Sequence, residues 1–237
     1  ADAEARKRRI TPGRIGAWAV MIVLLIVTIF PFLWMIRTAF STTRSLPSEP
    51  NSLLPVDFTW GAFERVLGLG TAEQAIAEGG SGASVNFWLY LRNSFIYAGA
   101  VTLGQVFFCS MAAYAFARLR WPGRNLVFGV FLGALLVPPI FTSLPNFILI
   151  KNLGLLNTLP GMVLPAFLMT PFAIFFLRQF FLGINREIEE AAAIDGAGPW
   201  RIFFRIILPM STAPITTLAI LTFIATWNDY FWPLLVG

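Results

Sequence analysis

Near the end of the chain, Trp227-Asn228-Asp229-Tyr230 sets a carboxamide and a carboxylate between two aromatic rings, with Trp232 close behind. Flat polar groups beside aromatic faces suit a polyhydroxylated solute, because hydroxyls bond to the amide and acid while ring faces take the apolar sugar edges. Asp229 is the acid that lies well inside an apolar run. A charge there is costly unless it meets a cavity or another helix, so Asn228 and Asp229 either line a path or pin their helix to a neighbour. Other polar side chains interrupt the remaining apolar runs: Asn93, Gln105, Ser110, Thr142, Ser143, Asn146, Thr170 and Thr226. The candidate solute pathway drawn from these groups is Asn146, Thr142, Thr170, Trp227, Asn228, Asp229 and Tyr230. With no histidine and one cysteine, Cys109, neither a disulfide nor a His/Cys metal site is expected within the chain. Cys109 sits in an apolar run and reads as a small packing residue.

The elements that must position these groups are membrane spans. Of 237 residues, 57% are hydrophobic and 12% charged, against about 25% charged in soluble domains. The mean hydropathy of +0.73 leaves too much apolar surface for a water-soluble fold. Five segments have the length of about 20 mostly apolar residues that a bilayer requires: 18–36, 94–117, 126–150, 159–181 and 211–236. Prolines interrupt several of them, at Pro31, Pro138-Pro139, Pro145, Pro165 and Pro171, as kinks or as sites that free backbone carbonyls. Gly99 and Gly104 are expected to allow close helix packing. The first segment is too long for a cleaved signal peptide and lacks a small-residue cleavage site.

Orientation follows from Lys and Arg. With the N-terminus inside, the inner loops carry Arg6, Lys7, Arg8, Arg9, Arg14, Arg118, Arg120, Arg124, Arg178, Arg186, Arg201 and Arg205. The outer ones carry Arg37, Arg44, Arg65, Arg92 and Lys151. Twelve against five fits a cytoplasmic N-terminus. These charges sit in short loops, so the pI near 10.0 reflects topology rather than nucleic-acid binding. Arg118, Arg120 and Arg124 are expected to face lipid headgroups, and Arg178 either snorkels or pairs with Glu187. Residues 1–17 form a basic cytoplasmic N-terminus. Residues 18–237 form a transmembrane domain with an outer loop over 40–92, holding one short surface helix near 58–67, and a cytoplasmic insert over 183–209.

That insert reads as two short helices. Asn185 is an N-cap, with Glu187 and Glu189 in the first turn, where carboxylates suit the helix dipole. Ile184, Ile188, Ala191 and Ala192 recur at helical spacing as an apolar stripe. Asp195-Gly196 ends the helix, since glycine accepts a left-handed stop, and Pro199 opens the next. Trp200, Phe203, Phe204 and Ile207 give the second helix an apolar face, with Arg201 and Arg205 opposite. The second helix suits either a headgroup surface or a protein. The first, acidic and alanine-rich, suits a protein partner, with Glu190 available to a basic residue.

Glu190-Ala191-Ala192, three residues, Gly196, nine residues, Ile206, one residue, Leu208-Pro209 resembles the EAA signature of permease subunits from binding-protein-dependent ABC importers, with Asp195-Gly196-Ala197 supplying the usual D-G-A. Ala112-Ala113-Tyr114-Ala115-Phe116-Ala117-Arg118 before Pro122-Gly123, and Trp227-Asn228-Asp229-Tyr230 with Pro233-Leu234, are similar to the carbohydrate-uptake branch, above all to its maltose-type second permease. The resemblance implies an all-α membrane protein, a type I importer bundle with five spans in this chain and a sixth expected beyond it. It implies that Ile188, Glu190, Ala191, Ala192, Asp195, Gly196, Ala197 and Trp200 couple to an ATPase. Its partners would be a second permease, two ATPase subunits, an extracytoplasmic solute-binding protein and the lipid bilayer of a bacterial or archaeal plasma membrane. The sequence has no G-x-x-x-x-G-K-[ST] loop, so no catalysis and no cofactor are expected on this chain, with ATP and magnesium on the partner. The cargo reading is a sugar or oligosaccharide. A glycerol-phosphate ester, a polyamine or an amino acid keeps the same machine. An autonomous channel or secondary transporter would need inverted repeats and pathway charges, which the sequence does not display. A scaffold that recruits a soluble protein is a further class.

Overall fold

A computed structural model describes residues 12–83 and 85–237, so the expected contribution of Arg6, Lys7, Arg8 and Arg9 lies outside the described residues. The chain divides into two compact units, Ala1–Tyr90 and Leu91–Gly237. In the first, α1 (Pro12–Ala39) is an apolar helix that buries only Arg37. At 1.5 Å per residue its 28 residues reach about 42 Å, enough to cross a bilayer. Arg37 ends it, donating to the Glu49 carbonyl and stacking 4.6 Å from the Trp34 ring. The following segment has two short helices, α2 (Gly61–Leu67) and α3 (Ala72–Ala77), where the sequence reading had one. The missed helix carries a legible start: Thr71 accepts from Gln74 N while the Gln74 side chain accepts from Thr71 N, a reciprocal capping box. Phe40, Phe58, Trp60 and Phe63 cluster with ring centroids 5.0–5.9 Å apart, and Arg44 N donates to Glu78 O at 2.9 Å. The loop is thus a folded unit rather than slack chain.

The second unit is built around α4 (Phe87–Ala117), 31 residues long. Its buried residues Tyr97, Val101, Gln105, Cys109 and Ala113 recur every fourth position, one ridge of a packed helix. The remaining helices are α5 (Arg124–Ala134), α6 (Pro139–Asn152), α7 (Leu159–Phe167), α8 (Pro171–Leu182), α9 (Arg186–Ile194), α10 (Pro199–Ile202), a π turn (Phe203–Ile207), α11 (Leu208–Met210), α12 (Thr212–Trp227) and α13 (Phe231–Val236). α1 and α4 are each long and apolar enough to cross a membrane. Three bent pairs bring the number to five if each counts as one span.

The bends alter three of the expected spans. The 126–150 segment turns through 99° between α5 and α6, at Pro138-Pro139, because a proline ring excludes the helical carbonyl behind it. The 159–181 segment bends by 45° between α7 and α8, ahead of Pro171. The 211–236 segment is not one helix: α12 stops at Trp227, Asn228 and Asp229 turn the chain, and α13 follows. In addition, the second helix of the insert runs on to Met210 and meets α12 at 78°.

α4 supplies what the α7–α8 break lacks. Gln105 Nε2 donates to Ala166 O at 2.9 Å and Thr170 Oγ1 donates to Gln105 Oε1 at 3.4 Å. Thr170 N donates to Cys109 Sγ at 3.4 Å. Backbone groups freed by a broken helix need partners when no water is at hand. Gly104 sits at the same crossing: a Cβ there would collide with the Phe167 carbonyl and ring, whereas one at Gly99 would meet nothing within 4 Å. Close packing therefore explains Gly104 and not Gly99. We predict that Gly104→Val lowers stability in detergent by about 3 kcal/mol through overpacking, while Gly99→Ala leaves it unchanged. Thermal unfolding of the purified variants measures both, and equal behaviour of the two would contradict this packing.

Candidate functional site

The insert between α8 and α12 forms as its residues dictate. Asn185 caps α9 by accepting from Glu187 N at 3.1 Å, and its amide donates to Glu187 Oε2 at 3.0 Å. Gly196 adopts φ 80°, the left-handed conformation that glycine enters without a Cβ penalty. Around it, Gly196 N donates to Ala193 O (3.0 Å) and Ala197 N to Ala192 O (2.9 Å), so the last carbonyls of α9 are satisfied. Pro199 then opens α10 at its first position. A π turn over Phe203–Ile207 widens the helix just before Pro209, whose ring would otherwise press on the carbonyl four residues back.

Two adjacent glutamates on α9 have opposite fates, because neighbours on a helix point about 100° apart. Glu190 is exposed. Glu189 turns inward with Ala192 and pairs with Arg118, Nε to Oε1 3.0 Å, the two side chains being 4% and 14% exposed. At that distance their angle falls outside hydrogen-bond geometry, so the contact is an ion pair. The same guanidinium donates to the carbonyls of Phe181 and Ile184, at the end of α8 and in the link to α9. Arg118 follows the last residue of α4, so one side chain holds α4, α8 and α9 together. Burial pushes the Glu189 carboxyl above the ordinary glutamate range. Arg118 and then Arg186 pull it back, and Glu190 adds to the rise. Arg118 is therefore not the headgroup residue that the sequence suggested. Arg178 does not meet Glu187: its Nε donates to Phe116 O at 3.3 Å and its guanidinium lies 4.1 Å from the Phe128 ring.

The predicted stripe on α9 splits. Ile184 and Ala192 pack on the core that includes Tyr114, Phe181 and Phe203, as does Ala197 in the turn. Ile188, Ala191, Asp195 and Gly196 are exposed, and Ile194 is 87% exposed. Phe203 and Ile207 are buried, with the Tyr114 and Phe203 rings 5.1 Å apart. Trp200 is 64% exposed and lies on an open apolar cavity of about 680 Å³ lined also by Phe108, Met111, Tyr114, Leu119 and Met169. None of the pathway candidates lines it.

Those candidates are only partly brought together. Asp229 is held by Tyr97, whose hydroxyl donates to Oδ2 at 3.1 Å, and by Trp232 N at 3.3 Å. Trp227 packs edge-on against Phe95 at 4.9 Å, while exposed Asn228 donates back to Ile224 O at 2.8 Å. Tyr230 is exposed. On α6, Thr142 bonds to Pro139 O of its own helix (2.8 Å) and Asn146 is half-buried. α6 packs against α13, which follows Asp229. Thr170 sits at the α7–α8 tie described above. Among the described residues no group of three or more acidic, Cys or His side chains is arranged to hold a metal.

Comparison with known proteins agrees with this architecture. The family described as binding-protein-dependent transport system inner membrane component matches residues 105–237. Over 217 residues the chain is 35% identical to the diacetylchitobiose uptake system permease protein NgcG of Streptomyces coelicolor, covering 91% of this chain and 66% of that one. It is 34% identical over 218 residues to the sn-glycerol-3-phosphate transport system permease protein UgpE of Yersinia pestis, covering 90% and 74%. The chain thus spans about two thirds to three quarters of the length of these relatives. A crystal structure of a bacterial ABC transporter involved in the import of the acidic polysaccharide alginate superposes with a TM-score of 0.78 at 23% identity, covering 100% of this chain and 77% of that one, a likeness of fold.

The arrangement of Arg118 predicts unequal variants. Arg118→Ala removes two charge-assisted hydrogen bonds together and should cost about 3 kcal/mol. Glu189→Gln should cost much less, since the Phe181 and Ile184 carbonyls still hold the guanidinium and the ionised carboxyl is the form that burial disfavours. The sign with pH follows: a folded-state pKa above the unfolded one favours folding at low pH, and that contribution is lost as pH rises through the raised value. Wild-type protein should therefore lose stability from the ordinary glutamate range upward, and Glu189→Gln should not. Thermal unfolding in detergent across pH reads both, and equal losses in the two variants would refute the asymmetry.

Proposed function

This chain belongs to the family of binding-protein-dependent transport system inner membrane components, and on that premise we propose that it forms, with a second permease, the path of an ATP-driven importer for a sugar or oligosaccharide. It is a membrane permease subunit and not an enzyme. The observation that carries the coupling role is the outward face of the insert. Glu190, Ile188, Ile194 and Trp200 stand exposed, while Glu189, Ala192, Phe203 and Ile207 fasten the insert to the bundle. Exposed isoleucine and tryptophan beside a carboxylate, on a rigidly held helix outside the spans, suit the groove of a second protein.

In this reading the insert faces the cytoplasm, the N-terminus is cytoplasmic, and residues 40–92 face outward toward a solute-binding protein. ATP and magnesium belong to two ATPase subunits. Closure of those subunits pushes the insert, and the spans rock so that the cavity opens to each side in turn. A helix tied by an ion pair and apolar contacts moves with its bundle, where a loose loop would absorb the push. Asn146, Thr142, Thr170, Trp227, Asn228, Asp229 and Tyr230 remain the proposed solute groups. The hydrogen bonds of Asp229 and Thr170 give these two a structural duty as well. The sugar assignment rests on the Trp227-Asn228-Asp229-Tyr230 chemistry and on the uptake system named for NgcG. The system named for UgpE supports a glycerol-phosphate ester as the second reading.

The test is solute-stimulated ATP hydrolysis by the reconstituted assembly, screened against mono-, di- and trisaccharides and glycerol-phosphate esters. Stimulation by a saccharide is expected. Stimulation by the esters alone would replace the sugar reading, and recovery of the chain without any ATPase would remove the importer itself. Glu190→Lys should weaken recovery of the ATPase at least about tenfold, the order of one lost interfacial contact. Gly196→Pro should abolish coupled uptake while the protein still inserts, since proline cannot adopt φ 80°. Undiminished uptake in Gly196→Pro would exclude the turn from coupling.

A further inference from the structure

We propose that Arg118 is a positioning residue for transport, the joint through which movement of the insert reaches α4 and α8, with Glu189 as its partner on the moving side. This rests on the coupling role assigned to the insert. Three observations carry it. The Arg118 side chain is 4% exposed, so its charge is committed to protein partners. Those partners belong to separate elements: the Phe181 carbonyl in the last turn of α8, the Ile184 carbonyl in the link, and the Glu189 carboxylate on α9. The contacts are also divided in kind. Carbonyls at a helix C-terminus carry partial negative charge and attract a cation whatever α9 does, so Arg118 stays with α8. The ion pair to Glu189 is the one polar side-chain contact among the described residues by which α9 is attached to the end of α4. Apolar contacts of Ala192 on α9 and of Ala197 in the following turn keep α9 near the bundle but are non-directional. The ion pair fixes direction.

Arg118→Lys preserves a cation at the joint but replaces a planar fork by a point charge, so it should hold α9 less tightly without freeing it. Glu189→Gln preserves shape and removes only the charge. A role in stability alone would appear as a change in melting temperature. A role as the joint appears as independent motion of α9 at unchanged melting temperature.

The experiment uses the assembled complex in nanodiscs on a Cys109→Ser background, which keeps an acceptor for Thr170 N, with spin labels on Ile194→Cys in α9 and Leu103→Cys in α4. Electron paramagnetic resonance gives the distance distribution with and without ATP–Mg. In otherwise wild-type protein one narrow distance is expected in both conditions, since α9 and α4 move as one body. In Glu189→Gln the distribution should broaden about twofold, and ATP–Mg should shift it, the mark of a released element. Arg118→Lys should fall between. If Glu189→Gln melts as wild type and keeps the same narrow distance in both conditions, Arg118 is not the joint. If wild-type protein assembles with no ATPase, the importer reading fails by itself, and the nucleotide-free widths of wild type and Glu189→Gln still decide the joint.

Discussion

A guanidinium sealed from solvent at the meeting point of three helices is the constraint on which the rest of this structure depends. Isolated, such a charge would be expelled or would draw water in. Here it is kept by oxygens that themselves needed partners: the carbonyls of Phe181 and Ile184 and the carboxylate of Glu189. Each group is costly to bury alone and acceptable in company, so α4, α8 and α9 are fixed in mutual position. A buried ion pair of this kind contributes more to geometry than to stability, which suits a place where a helix must be held at a set angle.

The same logic recurs along α4. Tyr97 holds Asp229 and so the turn after α12, and Gln105 and Cys109 hold the break between α7 and α8. Arg118 holds the insert. α4 and the residue that follows it thus carry polar ties to three irregular points of the neighbouring helices: the turn after α12, the α7–α8 break and the insert. The break ahead of Pro171 shows why: a proline ends the helical ladder there, and without water the freed groups demand a donor or an acceptor. At these three points irregular backbone and polar tie occur together. Polar residues that resemble a solute path when read one by one also act as fasteners when the backbone they meet is in view.

Much of the insert was legible because its signals are local. Asn185 as cap, Gly196 as left-handed stop, Pro199 as opener and the outward Glu190 depend on residues within a turn or two. The five apolar stretches were legible from length and composition, and Pro138-Pro139 and Pro171 marked where two of them bend. The angles were not legible, since a proline permits a bend and its neighbours set the size. Nor was the buried face of α4, because the helix is apolar all round, so periodicity carries no contrast between lipid and core. Arg118 is ambiguous in the sequence for a related reason: an arginine just past an apolar run has the same local pattern whether it faces headgroups or a partner helix. The deciding feature was Glu189, some seventy positions on. Its i, i+3 relation to Ala192 marks the inward side of α9, and that was the available signal. The Thr71–Gln74 capping box is a local signal for α3 that the sequence carries.

The direction in which the insert projects is the most direct measure of the account. Ile194→Cys on a Cys109→Ser background, treated with a membrane-impermeant maleimide, should label in inside-out vesicles and not in right-side-out ones. Removal of peripheral subunits should increase that labelling if, as proposed, a protein covers Ile194 in the assembly. Labelling from the outer face, or labelling that peripheral subunits leave unchanged, would contradict the claim that a separate ATPase grips this helix from the cytoplasm.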